Sequence, residues 1–153
     1  MDRARLFVCA GAGFLLAVVW FDLMHDVQVL LPKAGADPAG AVRSIARYYR
    51  RVTTDARPMN RLVALVMVVT LAAVIAEVVA GDVSTWVGWT SLVLVLAPVS
   101  LAAARTVADA VRLGAAVDRL TPEHEGLARS IGRDHVLCLV SLVALLAVQL
   151  GWG

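Results

Sequence analysis

Four stretches of this chain, at about residues 5–27, 59–80, 84–107 and 132–150, are almost free of charge, and each approaches the ~20 residues a helix needs to cross a hydrocarbon layer of ~30 Å. A chain of 153 residues that is 60% hydrophobic exceeds the ~45–50% apolar share of soluble domains. Its mean hydropathy of +0.79 points the same way. The fold expected is all-α: a four-span antiparallel transmembrane helix bundle with a short cytoplasmic surface helix, one domain over residues 1–153.

The first run has basic residues ahead of it, Arg3 and Arg5, as a signal peptide would. Its small residues Cys9 to Gly13, however, precede the bulky Phe14–Trp20 instead of following them, the reverse of a cleavage site. It reads as a retained helix. With four spans, both termini and the connection between spans 2 and 3 share one side. Of the 14 Lys and Arg, only Arg3 and Arg5 lie there, and the remainder fall in the two long connections. The positive-inside rule then places those connections in the cytoplasm and both termini outside. Trp86, Trp89 and Trp152 fall at the expected outer interface.

Between spans 1 and 2, Asp37-Pro38 reads as a helix cap followed by a proline at the first helical position. Residues 41–52 then carry Val42, Ile45, Ala46 and Tyr49 on one side and arginines elsewhere, which suits a helix lying on the membrane surface. Glu77, one turn from Gly81-Asp82, is expected to reach out to the interface. Residues 81–84 are short enough to demand an antiparallel hairpin, Pro98 interrupts span 3, and Gly114–Leu120 reads as a turn. Cys9 and Cys138 lie at depths more than ~10 Å apart and so read as packing residues, not a disulfide.

Every span brings polar side chains to the cytoplasmic level. Span 1 ends in Asp22, His25 and Asp26, which at i, i+3 and i+4 share a helix face. Span 2 opens on Asn60-Arg61, span 3 carries Arg105, and span 4 opens on Arg133-Asp134-His135. Ionisable groups at a bundle rim are expensive to bury and are therefore the natural candidates for a site. A histidine beside a carboxylate suits proton handling, so His25, Asp26, Arg61 and His135 are the candidate catalytic residues. Asp22, Asn60, Arg105, Arg133 and Asp134 are the candidate ligand-binding residues. His25 and His135 with Asp22 or Asp26 are also the ligand types of a two-histidine, one-carboxylate iron centre, but no local spacing marks one, and metal and cofactor stay unassigned. The alternative is that these charges are paired with one another only to hold the bundle together.

Tyr48-Tyr49-Arg50-Arg51, Asn60-Arg61 and Arg133-Asp134-His135, in a chain of four spans, resemble the small four-helix membrane proteins related to anthrone oxygenase. That resemblance implies oxidation of an aromatic or quinone-like compound reaching the site through the lipid. Two functions follow: binding or oxidation of a small lipophilic molecule, or a non-catalytic subunit or assembly factor of a larger membrane complex. An Ala-, Val- and Arg-rich chain suits a bacterial inner membrane. The expected partners are the bilayer, a lipophilic compound, and a membrane protein or a second copy of the chain, with no nucleic acid.

Overall fold

A computed structural model describes residues 3–153, all of whose regular structure is helical. Helix α1 spans Arg3–Leu30 and stops ahead of Pro32, whose missing N–H and fixed φ would break a further turn. Helix α2, Pro38–Arg50, starts where the sequence signals it: the Asp37 carboxylate accepts the Ala39 N–H at 3.0 Å, and Pro38 opens the first turn. Helix α3 covers Arg57–Ala80, α4 Thr85–Leu101, α5 Val107–Ala115 and α6 Glu123–Trp152.

Two wide turns of π-type interrupt the α-helical pattern, Arg51–Asp55 after α2 and Ala102–Thr106 between α4 and α5. The second does not break the rod: Thr85–Ala115 runs through as one 31-residue helix. Among the described residues, four helices are long and apolar enough to cross a membrane, namely Arg3–Leu30, Pro58–Ala80, Thr85–Ala115 and Glu123–Trp152. Successive spans alternate in direction and pack in a closed square, α1 against α3 and α6, and α4 against the same two.

The bundle holds two apolar cores. One, within the spans, gathers Val8, Ala12 and Leu15 of α1 with Val74, Val95, Leu142 and Leu145. The other sits at the basic end, where Val42, Ile45, Ala46 and Tyr49 of α2 meet Ala110 and Leu113 of α5 and Ala128 and Ile131 of α6. The amphipathic helix expected at 41–52 is present, but its apolar face is covered by α5 and α6 rather than by lipid headgroups. In water each buried Val or Ile contributes ~1.5–3 kcal/mol, so a matching protein face holds α2 firmly. Inside lipid that driving force is absent, and close packing and polar contacts must hold the spans together instead.

Close approach is built in at two glycines. A Cβ on Gly114 would stand 2.7 Å from the Arg50 amide nitrogen and 3.1 Å from the Tyr49 carbonyl carbon, so α2 rests backbone to backbone on α5. A Cβ on Gly132 would meet the Asp26 Cβ at 3.2 Å, which sets how near α6 comes to α1.

Two local expectations change. Gly114 lies inside α5, not in a turn, because its packing against α2 extends the helix to Ala115. Glu77 does not reach for the interface: it is fully buried and accepts a hydrogen bond from Gln149 Nε2 at 2.8 Å, while the same amide lies 3.0 Å from Ser91 Oγ. A carboxylate supplied with donors inside the bundle loses its reason to snorkel.

Candidate functional site

At the basic end, between the two cores, α1 turns Asp22 and Asp26 inward, one helical turn apart. Asp26 is fully buried. Opposite, α6 inserts His135 between them: its Nδ1–H donates to Asp26 Oδ2 at 2.7 Å, and its Nε2 stands 3.8 Å from Asp22 Oδ2. The imidazole thus bridges two carboxylates on successive turns of one helix. The close α1–α6 approach at Gly132, three residues before His135, sets this distance.

Helix α2 closes the cluster from the side. The Tyr49 hydroxyl donates to Asp26, 2.8 and 2.9 Å from its two oxygens, and lies 3.4 Å from His135 Nδ1. The Tyr48 hydroxyl donates to Asp22 Oδ1 at 2.7 Å. Burial pushes both phenols above their ordinary range, and the neighbouring carboxylates, Asp22 for Tyr48 and Asp26 for Tyr49, push the same way. Both hydroxyls therefore keep their protons at neutral pH and serve as donors.

His25 turns elsewhere. Its Nδ1 bonds to the Phe21 carbonyl oxygen at 3.1 Å, and its ring stacks on Tyr48 with centroids 3.9 Å apart and planes 11° from parallel. It makes no hydrogen bond to His135 among the described residues. Beside the cluster, Asp134 is held separately. Arg105 grips it with Nε on Oδ2 at 3.0 Å and Nη2 on Oδ1, and Thr106 Oγ1 donates at 2.8 Å. The π-turn at Ala102–Thr106 presents these two consecutive side chains to one carboxylate.

A cavity of about 390 Å³ opens next to the cluster. Asp22, His25, Tyr48, Asn60 and His135 are among its polar lining residues, and aliphatic side chains of α1, α3, α4 and α6 form most of the rest. Pro98 lines it, as do residues of both π-turns, Val52 and Thr53 from one and Ala102 and Thr106 from the other.

Of the nine residues singled out in the sequence, the structure brings Asp22, Asp26 and His135 into one group, His135 hydrogen-bonded to Asp26 and within ion-pair reach of Asp22. His25 and Asn60 stand on the cavity wall. Asp134 and Arg105 form the adjoining pair. Arg61 and Arg133 are exposed and join neither group. The groups that meet Asp22 and Asp26 are tyrosine hydroxyls and an imidazole.

Tyr48, Tyr49 and Thr106 are the members that the sequence reading leaves out. Tyr49 sits on the apolar face of an amphipathic helix, where it reads as packing. The usable signal is a pair of adjacent tyrosines, the only two in the chain, on the connection that follows an acidic helix end. Among the described residues, no three of His, Cys, Asp and Glu are gathered as ligands for a metal.

A family model described as ER membrane protein SH3, the SHR3 chaperone, matches residues 3–152. This match replaces the resemblance to the anthrone-oxygenase-related proteins, which rested on short segments, with one that runs along nearly the whole chain. The expectation of an oxidised aromatic or quinone-like substrate was implied by that resemblance and falls with it. The bacterial inner membrane, with termini outside the cell, is likewise overturned by a family described as an ER membrane protein. Neither the curated proteins nor the solved structures contain a significant match.

Proposed function

The chain belongs to the SHR3 chaperone family, and from that premise we propose that it is a non-catalytic assembly factor of the ER membrane, attending other membrane proteins as they are assembled or packaged. The observation that carries this reading is the family match over residues 3–152. The site geometry supports it. Asp22, Asp26 and Asp134 each have their hydrogen bonds supplied from within the bundle, which is what charges retained for architecture require. The positive-inside rule would turn the basic end toward the cytosol and the termini toward the lumen.

The outward surface suits such a role. Phe7, Trp20, Phe21 and Met24 of α1 are exposed, and between them Ala10, Gly13 and Ala17 leave a shallow strip where nothing lies within 4 Å of a Cβ placed on Gly13. Small residues let a foreign helix approach closely in lipid.

The test is to delete the protein in its host and measure surface delivery of polytopic membrane proteins, with ER retention as the complementary readout. Loss of delivery for a subset, restored by wild type and by His135→Gln but not by Gly13→Leu/Ala17→Leu, is the expected result. Unchanged delivery in the deletion strain would sink the proposal. Failure of His135→Gln to restore it, with the variant stable and correctly inserted, would return a chemical role to the histidine.

A further inference from the structure

We propose that the cavity beside Asp22 and His25 is a binding site for an uncharged membrane amphiphile, its hydroxyl headgroup held at the polar end and its hydrocarbon body among α1, α3 and α4. This goes beyond the assembly role and does not rest on it.

Access comes first. Phe21, Met59 and Val107 line the cavity and are also 60%, 51% and 47% exposed, so the space reaches the lipid-facing surface along α3. Pro98, which cannot donate a backbone hydrogen bond, and the wide turn at Ala102–Thr106 both lie on its wall. A ligand arriving from the bilayer enters without crossing water.

Size and lining come next. A volume of about 390 Å³ lies within the ~300–1,000 Å³ range of small-molecule sites. Leu15, Val63, Met67, Val95, Val99 and Leu142 supply an apolar body. A void walled this way gains contacts when hydrocarbon fills it.

The polar end selects the headgroup. Because the Phe21 carbonyl can only accept, His25 Nδ1 carries the hydrogen of that bond, and in the neutral ring Nε2 is left as an acceptor. Asn60 adds an amide that both donates and accepts. A hydroxyl, which both donates and accepts, matches the hydrogen-bonding groups that line the cavity. Among the described residues no Lys or Arg lines the cavity, while Asp22 does and Asp26 stands behind it. An anionic headgroup, carboxylate or phosphate, would meet the Asp22 carboxylate as like charge.

The experiment reconstitutes the full chain in phosphatidylcholine vesicles with one of two photoreactive probes, a diazirine-bearing hexadecanol or the matching hexadecanoic acid, and maps labelled residues by mass spectrometry. Expected is labelling of Val63, Met67 and Val99 by the alcohol about tenfold above the acid. Asn60→Leu, an exposed position that leaves the bundle intact, should reduce that labelling several-fold, and Val99→Phe should remove it. Val63→Phe serves if Val99→Phe does not fold. Equal labelling by the acid, labelling spread over lipid-facing residues such as Val68 and Val140, or cavity labelling undiminished by either filling variant would each overturn the assignment.

Discussion

The Tyr49 hydroxyl of α2 sits across both oxygens of the Asp26 carboxylate of α1, 2.8 and 2.9 Å away, at a point where neither residue meets water. A connection outside the spans thereby supplies a donor to a charge within one. Tyr49→Phe removes that hydroxyl and keeps the ring. It should lower stability by ~1.5–3 kcal/mol, the range for a hydrogen bond to a charged group. Tyr48→Phe should cost less, since Asp22 is partly exposed. Thermal unfolding of the two variants in the same detergent orders them.

The chain contains only two tyrosines, so tyrosinate absorbance reports on Tyr48 and Tyr49 alone. Both phenols are raised by burial and by the adjoining carboxylates. Folding then holds their protons more tightly than the unfolded chain does. Their contribution is fully present below the unfolded value of ~10 and is lost as pH rises through the folded values above it. The alkaline titration should show no tyrosinate at pH ~10 in the folded protein, and its appearance at higher pH should coincide with unfolding. A half-ionised signal near pH ~10 with the helices intact would refute the buried geometry.

Gly114 is the contact on which α2 rests. Gly114→Ala places a methyl group 2.7 Å from the Arg50 amide nitrogen, so α2 must move outward. Overpacking of this kind typically costs ~1–3 kcal/mol. Because α2 carries both tyrosines, the variant should also bring the tyrosinate midpoint down toward ~10, which a purely local strain would not do.

At the opposite end, Gln149 ties α6 to Glu77 of α3 and lies against Ser91 of α4. Gln149→Leu keeps the bulk and removes one donor to Glu77, and a lost buried hydrogen bond costs ~0.5–1.5 kcal/mol. Ser91→Ala should have a smaller effect, because the link from Gln149 to Glu77 survives it. Detergent unfolding midpoints, compared with those of the basic-end variants, should add independently for sites this far apart.

The spans, their number and their alternation are legible in the sequence because apolar length is a one-dimensional property. Asp22, Asp26 and His135 are legible as a group because charge at a span edge is rare enough to stand out. The partners of those charges are not legible. The groups that meet Asp22 and Asp26 are, besides the imidazole, two tyrosines whose helix reads as membrane-bound until α5 and α6 are seen to cover it. That cover depends on Gly114, a residue that in sequence looks like a turn. Glu77 misleads for a similar reason: its burial is decided by Gln149, 72 positions away.

The bond between Asp26 and His135 joins residues 109 positions apart. At ~5–20 residues per second of synthesis, the first helix is made roughly 5–20 s before the histidine that will lie against it. During that interval its two carboxylates are at the bilayer edge without the imidazole, and Tyr49, only 23 positions later, is the earliest partner to emerge for Asp26. The order of translation therefore makes α2 a temporary keeper of the first span until the fourth arrives. A ribosome-stalled intermediate ending before α6 should already show Tyr49 seated on Asp26.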